Sequence, residues 1–157
     1  MTRLVFDIEA DGLLNNVTQI WCIVTMDADT GVVTRYPHDK IPEGIAALPE
    51  ADCLIGHNII GYDLKAIWKL HGEWEKVPLI VDTYVVSRSL WPERQAGHSL
   101  EAWGNRLGFP KIDFNDYTQY TNDMLEYCVR DVELNVKVLE ALEEEYGETL
   151  TGYKVYY

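Results

Sequence analysis

Positive charge is scarce in this sequence. Its 157 residues carry 13 Lys and Arg against 26 Asp and Glu, a formal net charge of −13. So acidic a chain has no general basic surface with which to neutralise phosphates, the usual source of nucleic-acid affinity. Two readings of the excess acid stand: a solvated surface, or carboxylates clustered to bind divalent cations that then meet phosphate themselves. Cysteine is scarce too. Cys22, Cys53 and Cys128 are far apart, each in an apolar run, and no CxxC pair occurs. They read as reduced core thiols, not a disulfide framework. His38, His57, His71 and His98 lack HxxxH spacing, which speaks against a structural zinc site. No apolar run is long enough to cross a bilayer, so no membrane partner is expected. Met1-Thr2-Arg3-Leu4 runs straight into a strand-like segment without the features of a secretory leader. The expected setting is the cytoplasm, or the host cytoplasm if the source is viral.

What is present suits one domain spanning residues 1–157, with 47% hydrophobic residues to build a core. The run Leu4 to Glu9 is of β type and breaks at Asp11-Gly12. Residues 18–26 and 32–36 read as second and third strands around a loop at 27–31. A short helix is predicted over 43–48, a buried strand over 53–56 and a helix over 62–70. Another helix follows Asp82, and a further one covers 99–107 before Gly108. The last runs from Asn122 to Tyr146, with Thr121 as N-cap and Gly147 past its end. Three antiparallel N-terminal strands followed by alternating strands and helices give an α/β fold with a mixed sheet flanked by helices. The tail from Leu150 has no clear assignment.

Position then separates some acids from the rest. Asp7 and Glu9 are two apart on a strand and emerge on one face, flanked by Val5, Phe6 and Ile8. Two carboxylates crowded in a partly dry place resist ionisation, and a divalent cation removes that penalty. Asp63 falls at a helix start, where a carboxylate also suits the helix dipole. Tyr127 and Asp131 are four apart on the last helix and share a face, beside a core stripe of Leu125, Cys128, Val132, Val136 and Leu139. Arg130 does not share the face of Asp131.

These segments resemble the three motifs of the DEDD superfamily of 3′→5′ exonucleases: Asp7-Ile8-Glu9, then Asn58-Ile59-Ile60-Gly61-Tyr62-Asp63, then Tyr127 to Asp131, with the tyrosine of one subclass. Asp82-Thr83 and the stretch from His98 to Gly108 further resemble the proofreading domain of family A bacteriophage DNA polymerases. The resemblance implies a ribonuclease-H-like fold and two divalent ions, Mg²⁺ or Mn²⁺. Asp7 would bridge both, Glu9 and Asp131 would hold the first, and Asp63 the second, partly through water. Tyr127 would orient the attacking water, since a phenol is a poor base at neutral pH. Leu13 matches a position that packs against the terminal base, or is a turn residue covering the core. Asn58 matches a position near the substrate sugar or phosphate, or caps its turn. Arg94 and Lys111 flank the site, either to touch phosphate or, the favoured reading, as ordinary surface charges, and the run Glu143-Glu144-Glu145 reads as a solvated helix face. The substrate implied is a single-stranded or frayed 3′ end of DNA, with a DNA polymerase subunit as a possible partner. An RNA-trimming enzyme of the same superfamily would carry the same motifs. A catalytically silent interaction domain would have lost one or more of them. The loop between Gly108 and Tyr120 is short beside its polymerase-linked counterparts, which puts substrate contacts from it in question.

Overall fold

The computed structural model describes residues 1–151; the tail from Gly152 onward lies outside them. Strands β1 (Arg3–Ala10), β2 (Ile20–Asp27), β3 (Val33–Tyr36), β4 (Cys53–Gly56) and β5 (Leu79–Asp82) form one sheet in the order β3-β2-β1-β4-β5. The first three are antiparallel, whereas β4 runs parallel to both β1 and β5. The strand β5 was not foreseen: Leu79-Ile80-Val81 is too short an apolar run to declare its type by periodicity.

Strand pleating sorts the core into two layers. Phe6, Ile8, Ile23, Leu54 and Ile80 face α1 (Ile41–Ala47) and α2 (Leu64–His71). Val5, Cys22, Val24, Ile55 and Val81 face α3 (Thr83–Leu90), α4 (Leu100–Leu107) and α5 (Asn122–Tyr146). The alternation along β1 therefore turns Asp7 and Glu9 toward α5.

That helix has the expected limits. The Thr121 hydroxyl accepts the Met124 N–H at 3.1 Å, and Gly147 closes the helix in the left-handed region. Its buried face is wider than the predicted stripe. Met124, Val129, Leu134 and Leu142 are also buried, while Leu125 is only partly so, because α3 and α4 pack against α5 as the sheet does. The acidic run at its end is not a free solvated face: Glu143 pairs with buried Arg3 at 3.3 Å, and Glu145 with Arg94 at 3.0 Å.

The predicted helix over 62–70 begins differently. A π-helical turn, Ile59–Asp63, precedes α2. It leaves β4 through Asn58, which is left-handed at φ 60°. Gly56 permits this tight exit, since a Cβ there would lie 2.2 Å from Ile59 Cγ2 and 3.1 Å from the Phe6 carbonyl oxygen.

Candidate active site

Four carboxylates from three elements converge at one end of the sheet. Asp7 lies within hydrogen-bonding reach of both Glu9 and Asp63. Asp63, 5% exposed, does not cap α2 as a helix-start acid would. Its Oδ2 accepts the backbone N–H of Ile8 at 3.3 Å instead. The turn that presents it is held by Asp82, which is fully buried. One oxygen of Asp82 accepts the Asn58 N–H at 2.8 Å and the other the Ile60 N–H at 3.0 Å, while Oδ1 also caps α3 through Tyr84 N–H at 3.0 Å. His57 packs behind this turn, its Nδ1 2.8 Å from Thr83 Oγ1 and its Nε2 2.7 Å from the His98 carbonyl.

The fourth acid, Asp131, is 4% exposed. Lys111, read as a surface charge, places Nζ 3.4 Å from Asp131 Oδ2 and 5.0 Å from the centre of the Tyr127 ring. The other oxygen, Oδ1, is buried with no hydrogen-bond partner. Arg94, the second expected flanking charge, is elsewhere. It is buried on Trp103, 4.6 Å from the ring centre, and paired with Glu145. Arg130 turns away to the Pro110 carbonyl.

Burial raises all four carboxyl pKa values. Glu9 and Asp63 are pushed well up, first by desolvation and then by the charge of Asp7. Asp7 is raised by burial against the opposing pull of Lys111. Asp131 is raised to about 7 by burial and by Asp7, again opposed by Lys111. Burial, followed by Asp131, also drives the Tyr127 phenol above its ordinary range. These are the signs of anionic groups held together without enough positive charge. An all-oxygen donor set with an orphaned buried oxygen fits a hard divalent cation such as Mg²⁺ or Mn²⁺.

No protein-family profile matches the chain. Two curated relatives do, the DNA-directed DNA polymerases of Escherichia phage T7 and Enterobacteria phage T3. Each is 29% identical, over 88% of this chain and 26% of the polymerase. The chain resembles a DEDD 3′→5′ exonuclease domain. It spans about a quarter of the polymerases it matches. Among solved structures, a nuclease in its apo form superposes with a TM-score of 0.71 at 17% identity, covering 91% of this chain and 72% of that one. Brucella melitensis NrnC with bound Mg²⁺ gives 0.66 at 16%, covering 92% and 73%, and a further NrnC structure holds pGG. Escherichia coli exonuclease I in complex with a dT13 oligonucleotide gives 0.66 at 14%, covering 93% and 42%. These likenesses carry the fold, which is ribonuclease-H-like.

Beside the carboxylates this exonuclease-like domain has an open cleft of about 400 Å³, lined by Ile8, Glu9, Ala10, Asp11, Gly12, Leu13, Tyr62 and Tyr117. Leu13 is 73% exposed at its mouth and covers no core. Tyr62 donates its hydroxyl to the Gly12 carbonyl, tying the Leu13 loop to the turn that carries Asp63. Asn58 is exposed, makes no side-chain cap, and lies over Gly61, where a Cβ would sit 2.4 Å from its Oδ1. The short loop after Gly108 does reach the site. It brings Lys111 and Phe114 onto Tyr127, with the Tyr117 hydroxyl beside that of Tyr127. Tyr117 escaped the sequence reading because this loop has no periodicity. Its one signal was the dense Phe114, Tyr117, Tyr120 spacing ahead of Tyr127.

Proposed function

We propose that this chain, as one domain, is a divalent-metal-dependent 3′→5′ exonuclease that hydrolyses terminal phosphodiesters of DNA and releases nucleoside monophosphates. The observation that carries the reading is the convergence of Asp7, Glu9, Asp63 and Asp131, buried or half-buried, beside an open cleft. Asp7, Glu9, Asp63 and Asp131 would hold two ions, Mg²⁺ or Mn²⁺. When bound, such ions supply a deprotonated water and offset charge on the leaving 3′ oxygen.

The residues do the rest. Tyr127 keeps its proton, because burial and Asp131 hold its pKa above the ordinary range, so it orients water as a donor and does not act as a base. Lys111 and Phe114 pack on its ring, and the Tyr117 hydroxyl stands beside its own. Leu13 and Tyr117 stand on the cleft that would receive the terminal base, with Asn58 on the sugar or phosphate side. The terminal nucleotides must leave a duplex to enter, so single strands and frayed ends are the preferred substrates. DNA is favoured by the likeness to phage DNA polymerases, and the same likeness supports proofreading for a separate or missing polymerase part. Trimming of RNA is the second reading, supported by the fold shared with the NrnC that binds pGG. A silent interaction domain is disfavoured by the retention of all four acids and Tyr127.

The test is an assay on DNA and RNA oligomers labelled at the 5′ end. Stepwise shortening of single-stranded DNA, dependent on Mg²⁺ or Mn²⁺ and slower on blunt duplex, is expected. Activity that persists in excess EDTA would overturn the metal-dependent reading, and faster trimming of RNA would favour the second one.

A further inference from the structure

We propose that Arg88, stacked on Tyr84, is a phosphate subsite that holds a single-stranded nucleic acid upstream of the end being cut. Tyr84 is placed by the same group that shapes the π-turn. Asp82 Oδ1 accepts the N–H of Asn58 at 2.8 Å and that of Tyr84 at 3.0 Å, so one oxygen fixes the start of α3 beside the exit from β4. The half-buried Tyr84 ring then meets two histidines nearly at right angles, His57 at 5.6 Å and His98 at 6.4 Å between ring centres. Both histidines are themselves tied down: His57 between Thr83 and the His98 carbonyl, and His98 Nδ1 2.7 Å from Ser87 Oγ. Tyr84 is therefore a rigid platform next to exposed Asn58.

Arg88 lies one turn further along α3 on the same face. Its side chain is exposed, with the guanidinium carbon 5.5 Å from the Tyr84 ring centre, within the range of cation–π attraction. Among the described residues Arg3, Arg35, Arg94 and Lys111 each pair with a carboxylate, whereas Arg88 makes no ion pair. In a chain of net charge −13, a guanidinium held on a ring yet left without an acid is charge kept for an outside anion. Stacking leaves its N–H donors free at the edge, where they fit two oxygens of one phosphate. The ligand class is the phosphodiester of an unpaired strand, DNA or RNA alike, since nothing in the pair reads a sugar. Trp91, further along α3 and exposed, differs: it covers buried Arg94, 5.6 Å from its ring centre. The place of this subsite in the reaction rests on the nuclease reading above; its binding of a strand is tested apart from cutting.

The test compares a ten-nucleotide oligothymidylate with its dinucleotide, which ends short of Arg88, on the full chain in Mg²⁺. Arg88→Gln should raise KM for the longer strand by about tenfold, with kcat held within about twofold and the dinucleotide unaffected. The slope of log kcat/KM against log salt should become shallower by about 0.7 for the longer strand, the loss of one phosphate contact. Arg88→Lys should restore that slope but only part of KM, because an ammonium cannot make the paired contact. Trp91→Ala should change neither. Fluorescence anisotropy of the same strand, labelled at its 5′ end, on the Asp7→Asn chain reads binding without cutting, and adding Arg88→Gln should weaken it by about tenfold. Unchanged KM and slope in Arg88→Gln, an equal loss on the dinucleotide, or an effect that follows Trp91 instead overturns the subsite and leaves the nuclease reading standing. Arg88-dependent binding by a chain that cuts neither DNA nor RNA keeps the subsite and overturns the nuclease reading.

Discussion

The carboxylate of Asp63 is bonded to the backbone N–H of Ile8 at 3.3 Å, the one residue that separates Asp7 from Glu9. Ile8 itself points to the opposite core layer, so the sheet fixes its amide while the pleat puts its two acidic neighbours on the other side. One hydrogen bond thus registers the π-turn against β1 and holds Asp63 beside Asp7, although their charges oppose it.

That opposition gives Asp7→Asn two signatures. Nuclease activity should fall by at least about a thousandfold, the equivalent of several kcal/mol of lost metal chemistry. The metal-free protein should become more stable by roughly 1–2 kcal/mol, because Glu9 and Asp63 lose their main charged opponent. Chemical denaturation in EDTA measures the second effect. An active variant would remove Asp7 from the site.

The same crowding predicts how stability varies with pH. Asp131 titrates at about 7 in the fold against an ordinary 3.8. A carboxyl raised in this way favours the fold fully below its unfolded value, and that contribution is lost as pH rises through the folded one. Asp7, Glu9 and Asp63 shift in the same direction. Thermal scans in EDTA should therefore show a midpoint roughly 5 °C or more higher at about pH 5.5 than at about pH 8. Saturating Mg²⁺ should flatten or reverse the trend, and a trend unaltered by the ion would count against metal binding by these acids.

Tyr127→Phe tests positioning against ligation. The hydroxyl is lost, while the ring against Phe114 and Lys111 is kept. The turnover number should drop by roughly ten- to a hundredfold, with Mn²⁺ affinity nearly unchanged by calorimetry. A marked loss of ion affinity would make Tyr127 a ligand.

Arg94 and Lys111 should part company on mutation. Arg94→Ala removes a buried guanidinium from Trp103, Glu145 and the Ser87 carbonyl, so it should cost about 2–4 kcal/mol of stability and leave KM for DNA unaltered. Lys111→Ala should cost only about 1–2 kcal/mol in EDTA, as a part-buried pair does. Denaturation curves and initial rates on both variants check the contrast.

Asp82→Ala should be the more damaging core change. It leaves the Asn58, Ile60 and Tyr84 amides without their acceptor, a loss of about 3 kcal/mol or more. Asp82→Asn should be milder yet still misplace Asp63, because its one amide oxygen replaces only one of the two acceptors and its amide nitrogen, a donor, then faces a backbone N–H. Hydrogen exchange at Ile60 would report the loosened turn.

Where structure is set locally, the sequence already spelled it out. Thr121 and Gly147 mark both ends of α5, and the alternation of β1 states that Asp7 and Glu9 share a face. The π-turn was hidden because its shape depends on Asp82, which lies 24 positions beyond Asn58. Arg94 read as a surface charge because Glu145, its partner, is 51 positions away. Lys111 sits in an aperiodic loop, where nothing local says which way a side chain turns. Asp63 looked like a helix cap because the competing donor, the Ile8 amide, belongs to another strand.

The route by which α5 supplies Asp131 has a kinetic consequence. Asp7 and Glu9 emerge early in synthesis, yet their last acidic companion arrives only when a helix from the far end of the chain docks across β1 and β2. Contacts of such long sequence separation form late. A nascent or partly unfolded chain therefore carries no assembled cluster, and each opening of α5 dissolves it. Hydrogen exchange at the α5 amides around Asp131 therefore reports how often the intact site opens.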